Sequence, residues 1–217
     1  MDRSTHLDRV GWWCGIVAVV LISAGFFAID EGGSTPPDGP IDVLVQEITG
    51  SRGRIVAGSL VGMVGAVVLV WFAATLRMRL AREDAVGEVL GLAAYAFGIV
   101  MTVGALAHGS FRLATTTVRD PRVLAEAMRP LALLKEHVAD VLGWGAIGLV
   151  VTMSLGSFLV RLLPRTMAWV GATLAILAVA LIPTDHGGVG VALFPWLAVA
   201  CLVLIREGDR TGTPKRA

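Results

Sequence analysis

His137 and Asp140 lie three residues apart, a spacing that puts an imidazole and a carboxylate on one face of a helix. Imidazole and carboxylate suit Zn, Cu, Fe or Ni, and a carboxylate–His pair at i, i+3 can aim two ligands into one site of a helical bundle. His108, the adjacent Asp185 and His186, and Asp30 with Glu31 also fall beside apolar runs. His108, His137, Asp140, Asp185 and His186 therefore make a candidate set for a divalent metal or another ligand. No HxxxH or HExxH unit supports it. Ser110, near His108, is the one candidate nucleophile for hydrolysis, and no base is placed by spacing, so no residue receives a catalytic role. The competing reading is that these groups are interfacial caps, because polar residues cluster where apolar segments meet water. No cofactor beyond a divalent metal is called for.

Six apolar runs must position these residues: 11–29, 55–76, 89–107, 141–160, 166–182 and 187–205. None contains Asp, Glu, Lys or Arg. At about 1.5 Å rise per residue, ~20 helical residues cross ~30 Å of hydrocarbon. Hydrophobic residues make up 55% of the 217, charged residues only 16%, and mean hydropathy is +0.76. Soluble chains average about 25% charged residues, so lipid is the expected solvent. The expected fold is all-α: a single integral membrane domain over residues 1–217, a polytopic bundle of six transmembrane helices. A net charge of +1 gives no basis for nucleic-acid binding. The first run is longer than a signal-peptide core of ~7–15 residues and ends in Phe26-Phe27-Ala28, so it reads as an uncleaved span.

Basic residues set the orientation. Eleven flank the runs on the side of the chain termini: Arg3, Arg9, Arg77, Arg79, Arg82, Arg161, Arg165, Arg206, Arg210, Lys215 and Arg216. Seven flank the other side: Arg52, Arg54, Arg112, Arg119, Arg122, Arg129 and Lys135. The bias places both termini in the cytoplasm and the protein in the cell inner (plasma) membrane. Asp30–Arg54 is acidic and broken by Pro and Gly, with Ile41–Ile48 expected to lie at the interface as a short amphipathic piece. Asp120-Pro121 is an N-cap followed by Pro at N1. It opens a short amphipathic helix expected before span four and interrupted near Pro130.

Small residues recur every fourth position: Gly58 and Gly62 in span two, Gly87, Gly91 and Gly98 in span three, Gly148 and Gly156 in span four. Such ridges let helix backbones approach closely. They are read as packing within the bundle, with a homo-oligomer or protein partner as the alternative. Cys14 and Cys201 sit at similar depth near the cytoplasmic ends and read as small packed hydrophobes rather than a disulfide. Trp12, Trp13, Trp71 and Trp169 read as interfacial anchors. The basic inner segments attract anionic lipid headgroups, so membrane lipids are the expected partners.

Phe158-Leu159-Val160-Arg161-Leu162-Leu163-Pro164-Arg165-Thr166-Met167-Ala168-Trp169-Val170-Gly171 joins a long span to a short one through Arg, a few apolar residues and Pro-Arg. With the long polar loop after span one and the amphipathic lead-in to span four, it resembles a bacterial family of six-helix membrane proteins whose domain has no assigned function. The resemblance implies a fold and no activity. Three readings follow. The leading one is a non-catalytic packing or interaction protein of the membrane. The second is an outer-face metal- or ligand-binding protein. The third is a small-solute transporter, which would need a polar path or broken midplane helices; Pro195 is the one Pro deep in a span.

Overall fold

The structure is a computed structural model and describes residues 3–28, 40–118, 120–181 and 189–211. Among these there are six helices and no strand: α1 (Arg3–Ser23), continued by a π-helical turn (Ala24–Ala28), α2 (Ile41–Leu80), α3 (Ala85–Thr117), α4 (Pro121–Leu159), α5 (Arg165–Leu181) and α6 (Val189–Thr211). Four are long and apolar enough to cross a membrane, over Leu7–Phe26, Ile48–Leu80, Ala85–Thr117 and His137–Leu159. The other two carry shorter apolar segments, Arg165–Leu181 and Leu193–Arg206. At 17 residues α5 rises about 25 Å, a few ångströms short of the hydrocarbon thickness.

The chain alternates direction, so one end of the bundle holds the start of α1 and the end of α6 (the terminal end), and the π-turn lies at the far end. α2 and α3 join by a tight turn at the terminal end. Asp84 caps α3, its Oδ1 accepting from the Gly87 N–H at 2.7 Å. Gly91 lies against the Arg77 carbonyl, where a Cβ would stand 2.8 Å from the oxygen. Gly87 likewise faces the Leu80 carbonyl. α4 ends differently. Arg161 adopts a left-handed conformation (φ 57°), and the Leu162 N–H reaches back to the Gly156 carbonyl at 3.3 Å. This is a Schellman-type stop, in which Arg161 holds the position that glycine usually takes.

Two sequence expectations are corrected at the far end. Ile41–Ile48 does not lie flat before span two; it is the first part of α2. The amphipathic segment before span four is not a separate helix either. α4 runs unbroken from Pro121 through Pro130 to Leu159. Pro130 is exposed, so water can take the place of the bond its missing N–H would make. α3 also continues past His108 to Thr117. With 40, 33 and 39 residues, α2, α3 and α4 are about 50–60 Å long. A helical projection of about 20–30 Å is thus left over beyond the ~30 Å thickness of a hydrocarbon core. The projection has its own small core, Leu124 packed by Val45, Ile48 and Val118.

Within the bundle α1 packs on α2 and α6, α2 on α3, α3 on α4, and α4 on α5 and α6. The centre is filled by Ile22, Leu69, Phe72, Leu76, Met101, Leu149, Met153, Leu193 and Leu197. Backbones meet where side chains are small. A Cβ on Gly104 would stand 2.6 Å from the Leu142 nitrogen, and one on Gly145 would stand 2.5 Å from the Met101 nitrogen. Gly98 meets Ala73, Gly148 meets the Phe97 ring and Gly156 meets Leu80. Gly98→Leu and Gly145→Leu should each lower stability by about 1–3 kcal/mol. Val67→Leu, which adds bulk on an exposed face, should not. Thermal unfolding in detergent compares them, and equal melting of all three would show that these glycines do not set the helix spacing.

Candidate functional site

Buried polar groups of α2 and α3 gather at the far end, where the π-turn of α1 crosses them. Gly25 fits against the Gly58 carbonyl and the Gly62 backbone, where a Cβ would clash at 2.4–2.8 Å. That approach seats the Phe26 ring on Gly62. The same ring stands edge-on to His108, 4.9 Å between centroids at 66°. His108 and Arg112, one helical turn apart on α3, are both buried. Arg112 donates from Nη1 to the Phe26 carbonyl at 3.5 Å. A π-turn shifts backbone pairing from i+4 to i+5 and disturbs the carbonyl ladder, so a side-chain donor at that point serves the backbone. Ser59 is fully buried nearby, its carbonyl beside Gly109, and its hydroxyl has no hydrogen-bond partner.

One or two turns further out the basic residues also serve the fold. Arg52 donates from Nη2 to the Val118 carbonyl at 2.6 Å. Val118 is the C-cap of α3, so the guanidinium supplies a donor and a positive charge where the helix leaves carbonyls unpaired. Arg54 reaches the Ser51 hydroxyl at 3.2 Å. Neither Arg52 nor Arg112 is singled out by sequence spacing. The one available signal is that Arg112 repeats His108 at i+4, on a helix that outlasts its apolar run.

The sequence-derived ligand set is distributed as follows. His108 is buried against Phe26. His137 and Asp140 are on α4, Nδ1 and Oδ2 3.9 Å apart, and the His137 side chain is 78% exposed. Asp185 and His186 lie outside the described residues, as do Asp30 and Glu31. Among the described residues no three His, Cys, Asp or Glu side chains come together. Ser110 donates to the Leu106 carbonyl at 2.8 Å in an ordinary i−4 bond, on the exposed side of α3. Cys14 is half-buried and Cys201 buried, both as free thiols, and Cys201 packs near Gly15 of α1. Trp13, Trp71 and Trp169 are exposed, but Trp12 is buried edge-on to Phe72 at 6.1 Å, so it is a core residue rather than an interfacial anchor.

At the terminal end Arg82 pairs with Asp8 at 2.7 Å, fastening α1 to the α2–α3 turn. Arg79 pairs with Glu83, and Arg77 lies over the Tyr95 ring at 5.6 Å.

The far-end cluster yields two expected outcomes. Arg112→Leu should destabilise by about 1–3 kcal/mol, the usual effect of leaving a buried acceptor without its donor, and Arg112→Gln should recover part of it. Chemical unfolding of the three proteins is the measurement; a neutral Arg112→Leu would mean the Phe26 carbonyl is satisfied elsewhere. Zn should raise the melting temperature of neither the wild type nor His137→Ala. A rise in the wild type that His137→Ala abolishes would instead bring Asp185 or His186 to this pair. None of the protein-family models, curated proteins or solved structures compared with the chain matches it.

Proposed function

We propose that the chain is a multi-pass protein of the plasma membrane, with six spans and both termini in the cytoplasm, that works by packing and interaction rather than by catalysis. The supporting observation is the apolar exterior of the bundle. Leu60, Val64, Val67 and Trp71 expose one apolar stripe of α2, Leu92, Val100 and Val103 do so on α3, and Trp169, Val170, Ile176 and Leu177 on α5. A water-soluble protein rarely exposes contiguous apolar surface beyond a few hundred Å², whereas lipid is its natural cover. The basic residues of the terminal end favour the cytoplasmic side. Arg112, buried, and Arg52, half-buried, are occupied at the far end in completing helix ends, which favours a scaffold over a reaction centre. The helical projection of α2, α3 and α4, closed over Leu124, offers a stiff platform for a protein partner or a second copy.

The test is labelling of single cysteines in a background lacking Cys14 and Cys201. A cysteine at Pro37 should react with an impermeant maleimide added to intact cells. One at Thr213 should react only after the membrane is opened. Reaction of the Pro37 site only from the cytoplasmic side would reverse the orientation. Reaction of both from the same side without permeabilisation would break the six-span reading.

A further inference from the structure

Ser157, Arg161, Leu163, Pro164 and Arg165 line an open cavity of about 430 Å³ between the end of α4 and the start of α5. The Ser157 hydroxyl donates to the Met153 carbonyl at 2.6 Å, so two guanidiniums are left to recognise a ligand. Neither is engaged: among the described residues Arg161 and Arg165 make no ion pair or side-chain hydrogen bond. No Asp or Glu occurs on α4 beyond Asp140 or anywhere on α5. The contrast with Arg77, Arg79 and Arg82 at the same end is direct, since each of those already has an aromatic or carboxylate partner. The backbone under Arg161 is fixed by the Leu162-to-Gly156 bond. The buried Leu162 and Leu163 anchor the link between the two arginines.

The surroundings are amphipathic. One turn along α5 from Arg165, Trp169 is 66% exposed, with Phe158 packed edge-on against it at 5.0 Å. Val170, Ile176 and Leu177 continue the exposed apolar face of α5. Two arginines lining one cavity suit the oxygens of a phosphate, which guanidiniums can bind through paired N–H donors. We propose that this cavity holds the phosphate headgroup of an anionic phospholipid, whose acyl chains run along α5 past Trp169. The inference rests on the membrane reading above, which brings lipid to this surface.

The experiment uses the full chain reconstituted in phosphatidylcholine vesicles, where resistance to alkaline extraction checks the membrane reading without reference to any headgroup. Phosphatidylglycerol retained by the detergent-purified protein is then counted by native mass spectrometry for the wild type, Arg161→Gly, Arg165→Gln and Arg79→Gln. Arg161→Gly removes the charge while giving the left-handed position its preferred residue, so a loss there is not a loss of fold. Retention should fall roughly fivefold for each pocket charge removed and stay unchanged in Arg79→Gln. Melting temperature should rise with phosphatidylglycerol and not with phosphatidylcholine. Equal retention in Arg161→Gly, Arg165→Gln and wild type would overturn the proposal. So would an equal rise with inorganic phosphate alone, which would make the ligand a soluble anion rather than a lipid.

Discussion

A polar group inside an apolar belt finds its partner within the protein or goes without, and that constraint organises this molecule. Each backbone N–H and C=O left unpaired in hydrocarbon costs several kcal/mol, and the described chain is helical except at short links such as residues 81–84 and 160–164. The hydroxyls follow the same rule. Thr75, Thr152 and Ser157 bond the carbonyl four residues back. Thr102 does so as well and also reaches the Ala66 carbonyl of α2 at 3.3 Å. Trp196 donates across to the Met167 carbonyl of α5 at 3.2 Å. Ser59 and Ser154 depart from it, buried with no partner for their hydroxyls.

Where helices end, the constraint becomes specific. The four last carbonyls of a helix have no partner in the helix itself, and the described C-terminal ends meet the deficit by different means. α3 receives Arg52 from α2. α4 folds back on itself through Arg161. The π-turn that closes α1 receives Arg112 from α3. In two of the three, a charged residue is drawn to a backbone oxygen, which gives these far-end arginines a role within the fold. These arginines also bind elements distant in sequence: Arg112 and Phe26 are 86 positions apart. Removing one would loosen a junction of helices rather than a single bond.

Much of the bundle is legible in the sequence because an uncharged run of about 20 apolar residues has few alternatives in lipid. The lengths of α2, α3 and α4 are less legible. Gly50, Gly53 and Pro130 read as breaks, yet the helices continue across them. The closure of Val45, Ile48 and Val118 over Leu124 gives those polar segments a reason to stay helical that no local pattern displays. Glycine spacing marks Gly62, Gly98 and Gly148 but does not name Phe26, Ala73 and Phe97 as what they face. The i, i+3 spacing of His137 and Asp140 places them on one face. Their exposure, and the burial of His108 elsewhere, depend on how far α4 projects. The link from Phe158 to Gly171 stands out as a pattern, but a left-handed Arg161 does not, since only glycine would announce it.

The two ends of the bundle use arginine in opposite ways. At the far end Arg52 and Arg112 are consumed by carbonyl oxygens, so their charge completes the fold and is withdrawn from partners. At the terminal end Arg79 and Arg82 are met by carboxylates and Arg77 by an aromatic ring. Arg161 and Arg165 have no such match and stand on either side of a short apolar link that the packing holds rigid. An unmatched pair of cations is tolerable where anionic headgroups lie within a Debye length, about 8 Å at physiological ionic strength. The same pair would be unfavourable in the far-end cluster, where the surroundings are buried. The partners that the fold brings within reach, more than residue type, therefore decide which arginines hold the protein together and which are left unmatched.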